Sequence, residues 1–303
     1  MIWLALAILV LWPLAAHRLR KPVGDTARSR ASGQFATLSM GLTHYDWNGP
    51  RDGRVLVAIH GLTTAGYVWD AALPELTRMG YRVLRYDLYG RGLSDAPGGA
   101  QDSNYFTVQL SELLHDQGIG GPISLIGYSM GGGIATSWAA RNPDRVEELM
   151  LVAPAGLGRV GGPFARFCAG IPVIGDGVMR ALGGIVLRFG FVRAARSFPD
   201  STPLRKQLAE TRVRGFLPAV LSSYRNMLAE DQAGLHAELA ARSIPVLAVW
   251  GGNDKVIPAT STGRLAQINR QARQVSIPDA GHGLPYTHPR ELREAVQTFL
   301  RGD

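Results

Sequence analysis

Ile123-Ser124-Leu125-Ile126-Gly127-Tyr128-Ser129-Met130-Gly131-Gly132-Gly133 runs an apolar strand straight into a glycine-flanked serine. A buried strand that stops at Gly-x-Ser-x-Gly and gives way to helix-compatible residues is a nucleophile elbow. The serine there takes a strained backbone conformation on a tight strand-to-helix turn, which lifts its hydroxyl above the sheet edge. The positions two before and two after it then nearly touch, so neither tolerates a side chain. Gly127 and Gly131 meet that demand, and Gly132 and Gly133 let the following helix lie close to the sheet. The pentapeptide alone is a common string, so its surroundings have to decide.

Outward from the elbow, apolar strands and helical segments alternate. Residues 35–39 and 42–47 read as two short strands that open a sheet in antiparallel fashion. Residues 55–59 form a buried strand ending at His60-Gly61, and residues 68–79 have helical spacing stopped by Gly80. A strand over 82–88 ends at Asp87 and the loop Gly90-Arg91-Gly92-Leu93-Ser94-Asp95. A helix over 105–117, the serine strand over 123–128, a helix over 134–141 and a strand over 149–153 follow. The chain closes with strand 246–250, helix 262–268, strand 274–277 and helix 289–300. This alternation predicts an α/β fold with a mostly parallel, eight-stranded sheet and helices on both faces. Residues 155–239 interrupt it, with no buried strand and several helices, including 178–187 and 217–228. They are expected to form a helical cap above the strand ends, inserted into a core of residues 36–154 and 240–303. Its apolar side chains, Phe164, Phe167 and Ile174 among them, either pack the cap onto the core or line an acyl pocket or meet lipid.

A serine hydroxyl is a weak nucleophile at neutral pH and needs a base, which in turn needs an orienting acid. Strand 246–250 runs into Gly251-Gly252-Asn253-Asp254, and strand 274–277 into Asp279-Ala280-Gly281-His282-Gly283. Both loops leave parallel strands at the edge where the serine sits. Ser129, Asp254 and His282 follow one another in the chain order this arrangement requires. Asp279 stands three residues before His282 and reads as a turn residue, because so short a spacing rarely permits the geometry. Asp87 and Asp95 are expected to bond within their own loops, and His60 to act as a buried structural donor. His288 precedes Pro289 at a helix start; His44 and His115 show no partner in the sequence. No His, Asp or Glu cluster has metal-ligand spacing and no Gly-x-Gly-x-x-Gly opens a dinucleotide unit, so neither a metal nor a cofactor is expected.

Taken jointly, His60-Gly61, the loop 87–95, the elbow, the Gly-Gly-Asn-Asp loop and Ala280-Gly281-His282 resemble the α/β-hydrolase fold superfamily over roughly residues 36–301. The resemblance implies Ser129 as nucleophile, His282 as general base and then acid, and Asp254 as the orienting carboxylate. It also implies an oxyanion hole from the backbone N–H groups of Met130 and Leu62, with Thr63 replacing Leu62 if the loop is shifted by one. Haloalkane dehalogenases and epoxide hydrolases resemble the chain in fold but use aspartate where Ser129 stands. Carbon–carbon bond hydrolases of the meta-cleavage type share Ser-Met-Gly-Gly, and His60-Gly61-Leu62-Thr63-Thr64 resembles their oxyanion segment, but they usually carry Asn at the place of Tyr128. The function implied is a serine hydrolase of carboxylic esters, with a lipid-like or medium-chain acyl group. The alternatives are a carbon–carbon bond hydrolase and, in a different class, a catalytically silent ligand-binding member of the fold.

The composition of the 303 residues, 46% hydrophobic and 18% charged, describes a globular chain, and the single Cys168 excludes an intrachain disulfide. The net charge of +8 is uneven: residues 1–35 carry +4 and residues 155–215 carry +7, on a slightly acidic remainder. Both basic zones are interleaved with apolar residues and carry no nucleic-acid motif, so a membrane surface rather than nucleic acid is the partner expected. Residues 1–16 are uncharged and are followed by His17-Arg18-Leu19-Arg20-Lys21. A helix of that length spans about 24 Å, short of the ~30 Å hydrocarbon core, with snorkelling arginines to close the gap. Residues 1–21 are therefore expected as a membrane anchor with a basic flank, and residues 22–35 as a polar tether. The anchor resembles that of membrane-bound monoacylglycerol lipases. The flank places the globular body in the cytoplasm by the positive-inside rule; cleavage of the segment as a signal peptide, leaving a secreted or periplasmic body, is the competing expectation.

Overall fold

Long apolar runs form strands that need cover on both faces, and the computed structural model, which describes residues 11–195 and 202–302, provides it. The strands are β1 Gln34–Leu38, β2 Gly41–Asn48, β3 Arg54–Ile59, β4 Tyr81–Tyr86, β5 Ile123–Tyr128, β6 Val146–Val152, β7 Val246–Gly251 and β8 Arg273–Ile277. They form a single eight-stranded sheet in the order β1-β2-β4-β3-β5-β6-β7-β8. β1 and β2 pair antiparallel, as do β2 and β4, and every other pair is parallel. β5 is buried at every position, whereas β2, near the edge, buries only Thr43 and Tyr45. In register, Ile59 lies beside Tyr86 and Gly127, Tyr128 beside Val152, and Gly251 beside Ile277. The parallel strands therefore end together, and the loops after β3, β4, β5, β7 and β8 emerge at one sheet edge, where ligand sites of open α/β sheets form.

The Met130–Arg141 helix is buried from Met130 to Ala139 and packs on β5 and β6. Residues 68–79 are not one helix. A 3-10 turn over Gly66–Trp69 is followed by a separate helix over Leu73–Arg78. Pro74 lies in that helix's first turn, where a missing N–H is harmless, so the chain restarts there.

Between β6 and β7 lie helices Pro163–Gly170, Ile174–Ala194, Thr202–Glu210, Phe216–Arg225 and Ala233–Ala241. They enclose a second apolar cluster of Cys168, Met179, Phe216, Leu217, Val220 and Leu221, with Phe164, Val178 and Leu187 packed against it. Phe167, Ile174, Ile185 and Phe189 are instead exposed. The helix expected to reach residue 228 stops at Arg225, and Met227–Ala229 makes a 3-10 turn.

The membrane-anchor expectation is corrected here. Among the described residues no helix is long and apolar enough to cross a membrane. Residues 1–10 of the expected anchor lie outside the described residues; residues 11–18 are helical. The basic flank is also engaged with protein. Arg20 donates to the carbonyls of Ala16, Thr211 and Arg180, and Arg214 donates to those of Arg18 and Arg20. The Arg20 guanidinium, held by backbone carbonyls, is not free to snorkel toward lipid headgroups, and neither the anchor nor the membrane surface as a partner is supported. The cytoplasmic placement, which rested on the anchor, goes with it. Residues 22–35 are likewise tied down, with helix Asp25–Ser29 and an ion pair of 2.5 Å from Arg28 to Asp95.

Candidate active site

The elbow has the geometry its glycines require. Ser129 has φ 55° and ψ −119°, a strained setting for a residue with a side chain. The strain is held by its neighbours: its N–H donates to the Val152 carbonyl at 2.9 Å, and its carbonyl accepts from Ala155 N at 3.0 Å. A Cβ on Gly127 would run into the Gly131 carbonyl, and one on Gly131 into the carbonyls of Ile59 and His60. The turn is thus pressed both against itself and against the end of β3.

His282 and Asp254 reach Ser129 because two loops touch. The Gly252 N–H donates to the Ile277 carbonyl and the Asn253 N–H to the Ala280 carbonyl, both at 2.9 Å. A Cβ on Gly251 would stand 2.6 Å from the Ala280 carbonyl oxygen, so only glycine allows this approach. His282 Nδ1 then lies 2.8 Å from Asp254 Oδ2, and His282 Nε2 lies 3.0 Å from Ser129 Oγ. With the Nδ1 proton donated to the carboxylate, Nε2 carries the lone pair that accepts the serine hydroxyl. Burial opposes ionisation of Asp254. The His282 hydrogen bond and charge, with N–H donors from Val256 (2.7 Å) and Ile257 (3.1 Å), outweigh it and hold the carboxyl below its usual range. Ser129 is 8% exposed, so its hydroxyl lies just beneath the surface.

The Met130 N–H heads its helix, where no intrahelical acceptor exists and the helix dipole is positive. The Leu62 loop is braced from both sides. His60 Nδ1 donates to the Gly61 carbonyl at 2.8 Å, and Arg91 Nε donates to the Leu62 carbonyl at 3.0 Å. Neither the Leu62 nor the Met130 N–H donates to another group among the described residues. Burial lowers His60 to about 4, so it is neutral, and its Nε2 accepts from the Leu88 N–H at 2.9 Å.

Asp279 is exposed and has no part in the contact with His282. Asp87 accepts from the N–H groups of Gly66 and Leu93, and Asp95 from that of Leu42. His288 occupies the position before helix Pro289–Arg301 without a side-chain bond to it, and His115 is exposed. His44, without a visible partner in the sequence, pairs with Asp87 at 2.8 Å. Arg91 and the Tyr128–Tyr286 pair also escaped sequence reasoning. The Tyr128 ring packs 5.2 Å from the His282 ring and its hydroxyl bonds to that of Tyr286. The signal available for Arg91 was a long cation confined between two glycines; its partners lie too far away in sequence to be read.

A cavity of about 1200 Å3 opens away from Ser129, between helices Ile174–Ala194 and Thr202–Glu210 and the end of β4, with Tyr67, Asp87 and Glu210 in its walls. Neither Ser129 nor His282 lines it.

Three relatives frame the site. The chain is 30% identical over 258 residues to a pimeloyl-(acyl-carrier protein) methyl ester esterase of Aeromonas hydrophila subsp. hydrophila, covering 82% of this chain and 96% of the relative. It is 27% identical over 325 aligned positions to epoxide hydrolase 3 of Xenopus tropicalis, covering 99% and 87%. A thermophilic esterase from Thermogutta terrifontis superimposes with a TM-score of 0.72 at 26% identity, over 90% of this chain and 99% of that one. A model of the alpha/beta hydrolase family matches residues 56–295, which hold the elbow and both partner loops, and the chain belongs to that family.

Proposed function

We propose that the protein is a serine hydrolase that cleaves carboxylic esters through an acyl-enzyme on Ser129. The observation that carries this reading is the unbroken contact from Ser129 Oγ through His282 to Asp254, at 3.0 and 2.8 Å. His282 Nε2 takes the hydroxyl proton as Oγ attacks the ester carbonyl carbon. The carbonyl electrons move onto oxygen, where the N–H groups of Met130 and Leu62 stabilise the charge. Collapse breaks the bond to the alkoxy oxygen, which leaves as alcohol with the proton from His282. Water then repeats the sequence on the acyl-enzyme and releases the acid. Asp254, ionised throughout, holds the imidazole in the required tautomer and stabilises the imidazolium.

Two of the relatives named above are esterases, which agrees with ester chemistry here. The epoxide hydrolase relative does not change the reading, because a hydroxyl backed by an imidazole suits acyl transfer. The acyl group proposed is apolar: the Leu62 side chain at the site's rim packs into the inserted helices' cluster around Phe216 and Leu217. These inserted helices, residues 155–239, act as a cap over the strand ends.

Fluorophosphonate labelling and hydrolysis of 4-nitrophenyl esters from acetyl to decanoyl test the proposal. Labelling and turnover in the wild type, both lost in Ser129→Ala, support it, with kcat/KM rising from acetyl to the medium chains. Equal inertness of both proteins sinks it, and a preference for acetyl sinks the apolar acyl site.

A further inference from the structure

Arg91 is 1% exposed and makes no hydrogen bond to a carboxylate. Burying an unpaired cation is costly unless every donor is met, and here every donor is. Nε donates to the Leu62 carbonyl at 3.0 Å. Nη1 donates to the Tyr89 carbonyl at 2.9 Å and Gln101 Oε1 at 2.5 Å. Nη2 donates to Ser223 Oγ at 2.8 Å and the Ala219 carbonyl at 3.4 Å. One rigid plane thus joins three parts of the molecule: the loop after β4, the loop after β3, and the Phe216–Arg225 helix of the cap.

The consequence falls on Leu62. Peptide groups are planar, so the His60 bond to the Gly61 carbonyl sets the plane that carries the Leu62 N–H. The Arg91 bond to the Leu62 carbonyl sets the next plane. The Leu62 side chain itself packs against the cluster of Cys168, Met179, Phe216, Leu217, Val220 and Leu221, four of which belong to the Phe216–Arg225 helix. Both the carbonyl and the side chain of this residue therefore answer to the Phe216–Arg225 helix, one through Arg91 and one through the cluster that helix supplies most of.

We infer that Arg91 is a positioning residue that fixes the Leu62 N–H at the reacting carbonyl and makes its setting depend on how the cap helix is docked. The inference rests on the ester-hydrolase reading of Ser129 and Leu62. A cap helix shifted by substrate or by mutation changes the oxyanion donor through this plane without touching Ser129, Asp254 or His282.

Arg91→Lys and Arg91→Met, with Ser223→Ala as the milder variant on the cap side, test it by two independent readouts. The first is kcat per serine titrated by fluorophosphonate, with KM and the affinity for a trifluoromethyl ketone, whose hemiketal carries the oxyanion. Removal of an oxyanion donor costs about 10²–10³-fold, and its displacement is expected to cost about 10-fold in kcat for Arg91→Lys and more for Arg91→Met, with KM little changed. Ketone affinity should fall in parallel. Ser223→Ala should cost about threefold by loosening one arm of the same plane. A merely structural arginine lowers the titratable fraction but leaves kcat per site and ketone affinity unchanged, and that result overturns the inference. The second readout is amide hydrogen exchange over residues 61–66, expected to rise in Arg91→Lys and Ser223→Ala. Unchanged exchange overturns the coupling whatever the kinetics, and it scores the coupling even if Arg91→Met fails to fold. An inert wild type whose exchange still responds separates failure of the hydrolase reading from failure of the coupling.

Discussion

Two histidines in this molecule meet an aspartate in the same way and end in opposite roles. His282 Nδ1 lies 2.8 Å from Asp254, and His44 Nδ1 lies 2.8 Å from Asp87. The difference is at the far nitrogen. His282 Nε2 faces the Ser129 hydroxyl at 3.0 Å, whereas His44 Nε2 faces the Ser32 carbonyl at 2.7 Å. A carbonyl only accepts, so it favours a proton on Nε2 of His44 as well, and these two partners together favour the charged form of that ring. Burial works against the charge, but the Asp87 hydrogen bond and charge outweigh it and raise the His44 pKa. A hydroxyl can donate, so the contact at His282 Nε2 is compatible with that nitrogen as the acceptor. An Asp–His pair is therefore a clamp or a proton acceptor according to its third partner.

The largest effect that sharpens this contrast is expected from Ser129→Ala. Turnover should fall by at least about 10^4-fold with the fold intact, read as kcat on 4-nitrophenyl butyrate beside circular dichroism. Next comes Asp254→Asn, where the wrong tautomer should cost about 10^3 to 10^4-fold. Asp279→Asn should stay within about twofold, since a rate loss there would move the orienting acid to the wrong carboxylate.

His44→Gln should do the reverse, leaving kcat within about threefold and lowering stability by about 2 kcal/mol. The sign follows from linkage. A pKa raised above about 6.5 in the folded state contributes stability that is full below that pH and is lost as pH rises through the folded value. The loss in Tm should accordingly be larger at pH 5.5 than at pH 9; equal losses would contradict a raised His44 pKa.

A further effect on stability concerns Glu210, whose carboxyl burial pushes up to about 8 while it accepts from the Gly92 N–H at 3.0 Å. A carboxyl raised in this way costs the fold stability as pH climbs from about 4.3 toward 8, because the unfolded chain ionises first. Glu210→Gln keeps an acceptor and removes that cost. Its Tm should exceed the wild type's at pH 9 and approach it at about pH 4.

The elbow was legible in the chain because its constraint is local. Gly127 and Gly131 are spelled by backbone contacts that any such turn makes, and the strand before it is a run of buried apolar residues. The strands carrying Asp254 and His282 were legible for the same reason. Residues 68–79 misled because helical spacing of apolar residues hides the restart at Pro74. His44 misled because a half-buried residue on an outer strand gives no sign of a partner 43 positions away. Residues 1–21 misled because hydropathy does not distinguish a segment that meets lipid from one whose Arg20 is bound by the carbonyls of Arg180 and Thr211.

By itself the sequence determined the sheet, the position of the elbow serine and the chain order of its candidate partners, since each follows from steric and apolar patterns over a few residues. Only the tertiary structure decided what each polar group touches: that His44 ends on a carbonyl and His282 on a hydroxyl, and that Arg91 binds the Leu62 loop to the Phe216–Arg225 helix. Those choices depend on groups brought together across up to 153 residues, where local pattern carries no information about direction or distance.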